Sequence, residues 1–212
     1  MQTVTEIAIE RAGLGVFTRQ ECACWIDSEG ARLDALLKRS VAAQEILRVR
    51  RGLFCLAARY MPRPIHPFEL AQVVFGPSYI SLESALSHHG WIPEAVYATT
   101  CVSLARSRNF ETPMGLFSYT RVPQVRFYAG VRREEQQGGG SFFVAGPLKA
   151  LADYVYVHGL EWRSLAPVQG SLRIENVELA TLTEESFEQL SGVYRSGRVL
   201  RFLDAIRKEM KL

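Results

Sequence analysis

The stretch Ile46-Leu47-Arg48-Val49-Arg50-Arg51-Gly52-Leu53-Phe54-Cys55-Leu56 restricts the folds open to this chain more than any other. Ile46, Val49, Leu53, Phe54 and Leu56 are strand-forming or aromatic residues. Gly52 supplies the positive φ that a tight turn between two strands needs. The segment predicts a β-hairpin with a cationic tip, since Arg48, Arg50 and Arg51 set three permanent charges within four positions. Arginines on solvated turns are common, so the residues before the hairpin decide what it means.

Those residues read as helices. Val4, Ile7, Ala8 and Ala12 recur at helical spacing, with Thr3 or Thr5 as the N-cap, and Gly13 and Gly15 stop the run. Thr18 with Glu21 three positions later is a capping box, and Phe17 before it is placed for a hydrophobic staple. A second helix is thus predicted over 19–26, burying Cys22, Trp25 and Ile26, with a turn over 27–30. A third is predicted over 31–43, with Leu33, Leu36, Leu37 and Val41 as its apolar stripe. Its other side carries Arg32, Ala35, Arg39 and Ala42, small residues and long cations suited to close approach to a major groove.

Helix, turn, helix and basic hairpin is the order of a winged helix-turn-helix. Charge agrees with it. Residues 32–59 hold seven basic side chains against Asp34 and Glu45, a local +5 in a chain of 212 residues whose total is +3. On this reading Arg32, Lys38 and Arg39 belong to the recognition helix and read bases, while Arg48, Arg50 and Arg51 form the wing and hold phosphates.

Three prolines in six residues, Pro62, Pro64 and Pro67, break any helix or central strand and mark a stiff linker. The predicted fold class is therefore α+β: an N-terminal winged helix-turn-helix over 1–60, a proline-rich linker over 61–67, and a larger mixed α/β C-terminal domain over 68–212. In that domain helices are expected over 68–74, 79–89, 147–157, 183–190 and 196–211. Strands are expected over 95–104, 116–122, 125–131 and 177–182, with 106–115 as a connection and the glycine-rich 134–141 as a loop.

Chemistry-bearing motifs are sparse. Ser81, Glu83, Ser84, His88 and His89 fall within nine residues, and Ser84 with His88 stand at i, i+4, but no nucleophile elbow is present. Asp153 beside Lys149 lacks the second acidic partner of a nuclease site. Gly138-Gly139-Gly140 lacks the Lys-Ser/Thr of a phosphate loop. Cys22, Cys24, Cys55 and Cys101 share no paired spacing, and His88-His89 beside Gly90 reads as a helix end, so neither metal nor cofactor is expected. With no signal peptide, no membrane span and reduced thiols, the expected compartment is the cytoplasm. The alternatives are a docking module whose winged helix no longer binds DNA and, less favoured, a C-terminal hydrolase or nuclease.

Several blocks also carry a family resemblance: Arg48-Val49-Arg50-Arg51-Gly52-Leu53-Phe54, Pro77-Ser78-Tyr79-Ile80-Ser81-Leu82-Glu83-Ser84-Ala85-Leu86, His89-Gly90-Trp91, Phe110-Glu111-Thr112-Pro113-Met114-Gly115 and Leu148-Lys149-Ala150-Leu151-Ala152-Asp153. Together they resemble the AbiEi family, antitoxins and transcriptional repressors of bacterial abortive-infection toxin–antitoxin systems. The resemblance covers roughly 16–157, with Leu148 standing where the family motif carries an acidic residue. It implies a non-enzymatic repressor that binds operator DNA upstream of its own operon. It also implies antitoxin activity toward a nucleotidyltransferase-like toxin, without the need for a stable complex.

Overall fold

The computed structural model of the protein describes residues 3–94, 96–136 and 139–212. The chain folds as mixed α+β. Its first part runs α1 (Val4–Arg11), β1 (Val16–Thr18), α2 (Arg19–Ile26), α3 (Gly30–Ala42), β2 (Ile46–Arg50) and β3 (Leu53–Leu56). The three strands form an antiparallel sheet in the order β1-β3-β2.

Both early helices start on a threonine cap, Thr3 for α1 and Thr18 for α2. Thr18 N–H donates to Glu21 Oε2 at 2.7 Å, and Glu21 N–H donates to Thr18 Oγ1 at 3.1 Å. Removing that hydroxyl in Thr18→Ala is expected to cost about 0.5–2 kcal/mol, read as a lower denaturant midpoint at unchanged m-value. On α3, Leu33 and Leu37 are buried and Leu36 and Val41 half-buried, so the apolar stripe faces inward. Arg32, Ala35, Lys38, Arg39 and Ala42 are all exposed. Gly52 takes φ +76° at the hairpin turn.

The hairpin is covered on both sides. Ile46, Phe54 and Leu56 pack with Val4, Ala8, Phe17, Leu33 and Leu37. Val49, Leu53 and Cys55 belong instead to the larger core with Leu70, Val74 and Tyr119.

Residues 61–66 form no helix or strand. Then follow α4 (Pro67–Val74), β4 (Ser78–Ile80), α5 (Leu82–His88), β5 (Ala98–Ser103), β6 (Arg108–Thr112), β7 (Gly115–Arg121), β8 (Val131–Glu135) and β9 (Ser141–Ala145). Helices α6 (Pro147–Val157), α7 (Leu165–Leu172), α8 (Asn176–Leu179), α9 (Glu184–Leu190) and α10 (Gly197–Met210) complete the chain. The second sheet has the order β6-β7-β5-β4-β9-β8. The β5–β7 and β4–β9 pairs are parallel and the rest antiparallel. Tyr119 donates to the Ala71 carbonyl at 2.6 Å, tying α4 to this sheet.

Several expectations for this half are overturned. Residues 79–89 are not one helix: Ser78–Ile80 is a strand, and α5 begins after Ser81. Ser81 stands at the N-cap but its hydroxyl makes no cap bond, and the next residue, Leu82, takes φ +57°. Residues 125–130 form no strand, and Val125 N–H is taken by the Val193 carbonyl at 2.8 Å outside the sheet. The strand lies at Val131–Glu135 instead, where four consecutive charges mask an edge strand. Residues 108–112 are likewise an edge strand rather than a connection. Within 177–182 the chain turns through α8, since Leu179 and Leu182 are buried at helical, not alternating, spacing. Ala95, where one strand was expected to begin, and Gly138 of the glycine run lie outside the described residues. Among the described residues no helix is long and apolar enough to cross a membrane.

Candidate nucleic-acid interface

The concave surface nearest the predicted reading head is a cleft of about 780 Å³ between α3 and the hairpin, lined by Arg19, Asp34, Leu37, Lys38, Val41, Arg48, Arg51, Gly52 and Phe54. Four of these residues are cations and one is a carboxylate. Its apolar floor is the edge of the small core, where Leu37 and Phe54 are buried. Phosphate oxygens fit such a lining; a divalent metal, with one carboxylate on offer, does not.

Arg19 enters the cleft through tertiary structure. As the first residue of α2 it follows the Thr18 cap, and Thr18 pairs with Leu53 across β1 and β3. Its backbone N–H donates to the Gly52 carbonyl at 2.9 Å, which fixes the start of α2 beside the hairpin turn. Its guanidinium Nε donates to Asp34 Oδ1 at 2.7 Å. That bond raises the Arg19 pKa and holds the Asp34 carboxyl below its ordinary value. The pair orients Arg19 and leaves Lys38, Arg48 and Arg51 as the cleft's surplus charge.

The expected site residues therefore divide. Lys38, Arg48 and Arg51 line the cleft and are exposed. Arg32 and Arg39 lie on the exposed side of α3 outside it, seven residues and about 10 Å apart along the helix axis. Arg50 does not sit among them. Its side chain turns toward the second part of the chain, where Nε donates to the Val74 carbonyl at 2.5 Å and Nη1 to the Arg51 carbonyl at 3.1 Å. The reason is the register: β2 and β3 slip between Arg48 and Arg50, and that irregularity swings Arg50 to the face covered by α4. Arg19 was missed because no spacing in the sequence announces it; only the pairing of β1 with β3 brings it to the turn.

The second half has its own polar centre, and it is closed. Asp153 and Lys149 are essentially unexposed at 0 % and 1 %. Asp153 Oδ2 accepts from Tyr79 and Ser81 hydroxyls, each at 2.8 Å. Oδ1 accepts from Gln124 Nε2 at 3.0 Å and from the Tyr194 hydroxyl at 2.7 Å. Lys149 Nζ donates to Gln124 Oε1 at 2.6 Å and to Tyr194 at 3.2 Å, and lies 3.8 Å from Asp153 Oδ1. Burial lowers the Lys149 pKa against the opposing charge of Asp153, and burial and then Asp153 push both tyrosines well above their usual value. Every polar atom has an internal partner, which is the arrangement of a structural lock.

The Ser-His-acid grouping also disperses. Ser84 Oγ donates to the Ala98 carbonyl at 3.1 Å and accepts from Thr100 N–H at 2.8 Å, while His88 Nε2 meets Glu134 Oε2 at 2.7 Å. Cys22, Cys55 and Cys101 are buried and Cys24 exposed, all as free thiols. Burial pushes Cys22 and Cys55 up to about 11, which suits packing rather than nucleophilic chemistry. Compared with known proteins, the chain matches no protein-family model and no curated protein.

Proposed function

We propose that residues 1–60 form a winged helix-turn-helix that binds double-stranded DNA, with α3 in the major groove and the β2–β3 turn on the adjacent backbone. The observation that carries this reading is the cationic cleft between α3 and the hairpin. Three helices followed by a basic antiparallel hairpin is the element order such a reader needs. With thirteen residues, α3 is about 20 Å long, enough to cross a groove about 12 Å wide. Arg39 and Arg32 would face base edges from the exposed side of the helix. Lys38, Arg48 and Arg51, with Arg19 held by Asp34, would hold phosphates, and Arg50 drops out of the contact set.

The resemblance to the AbiEi antitoxins supports the wider reading. The protein would repress its own operon in the cytoplasm, and residues 68–212 would act as an antitoxin toward a nucleotidyltransferase-like toxin. The closed Lys149–Asp153 centre fits a non-enzymatic role for that half.

The test is a gel shift with duplex DNA from upstream of the gene and a shuffled duplex of the same composition. Tighter binding to the upstream duplex is expected, and no shift of either at low salt rejects the reading. Arg39→Ala should weaken upstream binding by roughly 1–3 kcal/mol and leave shuffled binding nearly unchanged. Equal losses on both duplexes would move Arg39 to the phosphate-contacting group. A nucleotidyltransferase reading frame beside the gene would support the antitoxin assignment.

A further inference from the structure

We propose that His88, His89 and Glu134 form a binding site for a divalent transition-metal ion of the zinc type. The three come from two elements far apart in sequence. His88 ends α5 and His89 caps it, while Glu134 lies on the edge strand β8. One ligand atom from each, two imidazole nitrogens and a carboxylate oxygen, lies within 4.8 Å of the other two. Zinc bonds of about 2.1 Å place neighbouring ligand atoms roughly 3.4 Å apart, so from separations within 4.8 Å binding closes the wider ones by at most about 1.4 Å. Glu134 sits on an edge strand with a partly exposed side chain, and His88 ends its helix, so both can adjust toward His89.

The surroundings prepare the ligands. His89 Nε2 lies 2.8 Å from the Ala145 carbonyl. A carbonyl only accepts, so Nε2 carries the proton and Nδ1 presents its lone pair. A backbone carbonyl on the far nitrogen is the usual partner that orients a metal-bound imidazole. The His88 ring is held edge-on against Phe68 and Phe142, with centroids 5.6 Å away in both cases. His88 Nε2 lies 2.7 Å from Glu134 Oε2, where the carboxylate accepts its N–H; on metal binding the neutral ring carries its proton on Nδ1 instead, and Nε2 becomes a ligand.

Two nitrogens and one carboxylate suit zinc, cobalt(II) or nickel(II) better than magnesium or calcium, which prefer all-oxygen shells. The side chains of His88 and Glu134 keep 26 % and 35 % exposure, so a fourth position opens to solvent. Arg132, two residues before Glu134, is an opposing charge, since its field acts on His89. The competing arrangement is a plain His88–Glu134 ion pair with no affinity for metal.

The experiment uses the full chain, without a histidine tag and treated with chelator, titrated with Co²⁺ and followed by its visible d–d absorption. The expected result is saturation at one equivalent, reversal by Zn²⁺ but not by Mg²⁺, and a rise in Tm on adding Zn²⁺. His88→Ala and Glu134→Gln should each weaken Co²⁺ binding at least tenfold, and Glu134→Gln, conservative and at the surface, is expected to fold normally. The exposed thiol Cys24 is the rival ligand, and Cys24→Ser should change nothing. Absence of saturable binding overturns the proposal. So do thiolate charge-transfer bands, or affinity that survives both His88→Ala and Glu134→Gln.

Discussion

Replacing Asp153 with alanine is expected to destabilise the protein by about 3–5 kcal/mol, a large share of the ~5–15 kcal/mol that holds most domains folded. The carboxylate is fully buried and accepts from Tyr79, Ser81, Gln124 and Tyr194, so its loss orphans four donors at once. It also leaves the Lys149 ammonium buried without a counter-charge. Urea unfolding of the full chain, with the m-value checked for constancy, measures the effect. Lys149→Met should cost less, because removing the cation leaves the carboxylate its four hydrogen bonds. The double variant should show a coupling of roughly 0.5–3 kcal/mol. Zero coupling would mean that the hydroxyl and amide donors carry the whole stabilisation and that the ion pair adds nothing.

The second large effect is on the proposed DNA binding. Alanine at both Arg48 and Arg51 is expected to reduce the slope of log K against log salt by about two and to weaken specific and random duplexes alike. Both side chains are exposed and line the cleft beside α3. Arg50→Ala provides the contrast. Its guanidinium is bonded to the Val74 carbonyl, so the variant should lose stability and keep its salt slope. A slope that falls with Arg50→Ala and stays constant with Arg48 and Arg51 replaced would reverse the assignment of the wing.

The N-terminal elements were legible because their signals are local. The Thr18–Glu21 box, the α3 stripe and Gly52 each act within a few residues, and α2 begins and ends where the capping pattern puts it. What failed depended on distant partners. The slip between Arg48 and Arg50 belongs to a strand pair, not to a sequence spacing, and it decides which arginines face the cleft. Strand β8 was hidden because its charges resemble a loop until β9 pairs with it. Helix α8 read as a strand because Val177, exposed at 65 %, suggested an alternation that burial does not follow. The Lys149–Asp153 centre needed Tyr79, Gln124 and Tyr194 from three other places in the chain. Lys149 with Asp153 alone gave the sequence no sign of whether the pair was open to a substrate or sealed.

The two-sided hairpin has a consequence for modularity. A run of four apolar residues, Leu53-Phe54-Cys55-Leu56, is buried on both faces, with Phe54 and Leu56 against the helices and Leu53 and Cys55 against the larger body. Cutting the chain in the proline segment would bare Val49, Leu53 and Cys55 to water and release Arg50 from its carbonyl. A fragment ending near residue 60 would carry a sticky sheet and should self-associate rather than behave as an independent domain. Grafting residues 1–60 onto another protein therefore requires either their own second half or polar replacements at those three positions. In the intact chain the same contact joins the N-terminal helices to the second half through one shared sheet, so a ligand on α3 and a ligand on the second half would be held in a single relative orientation.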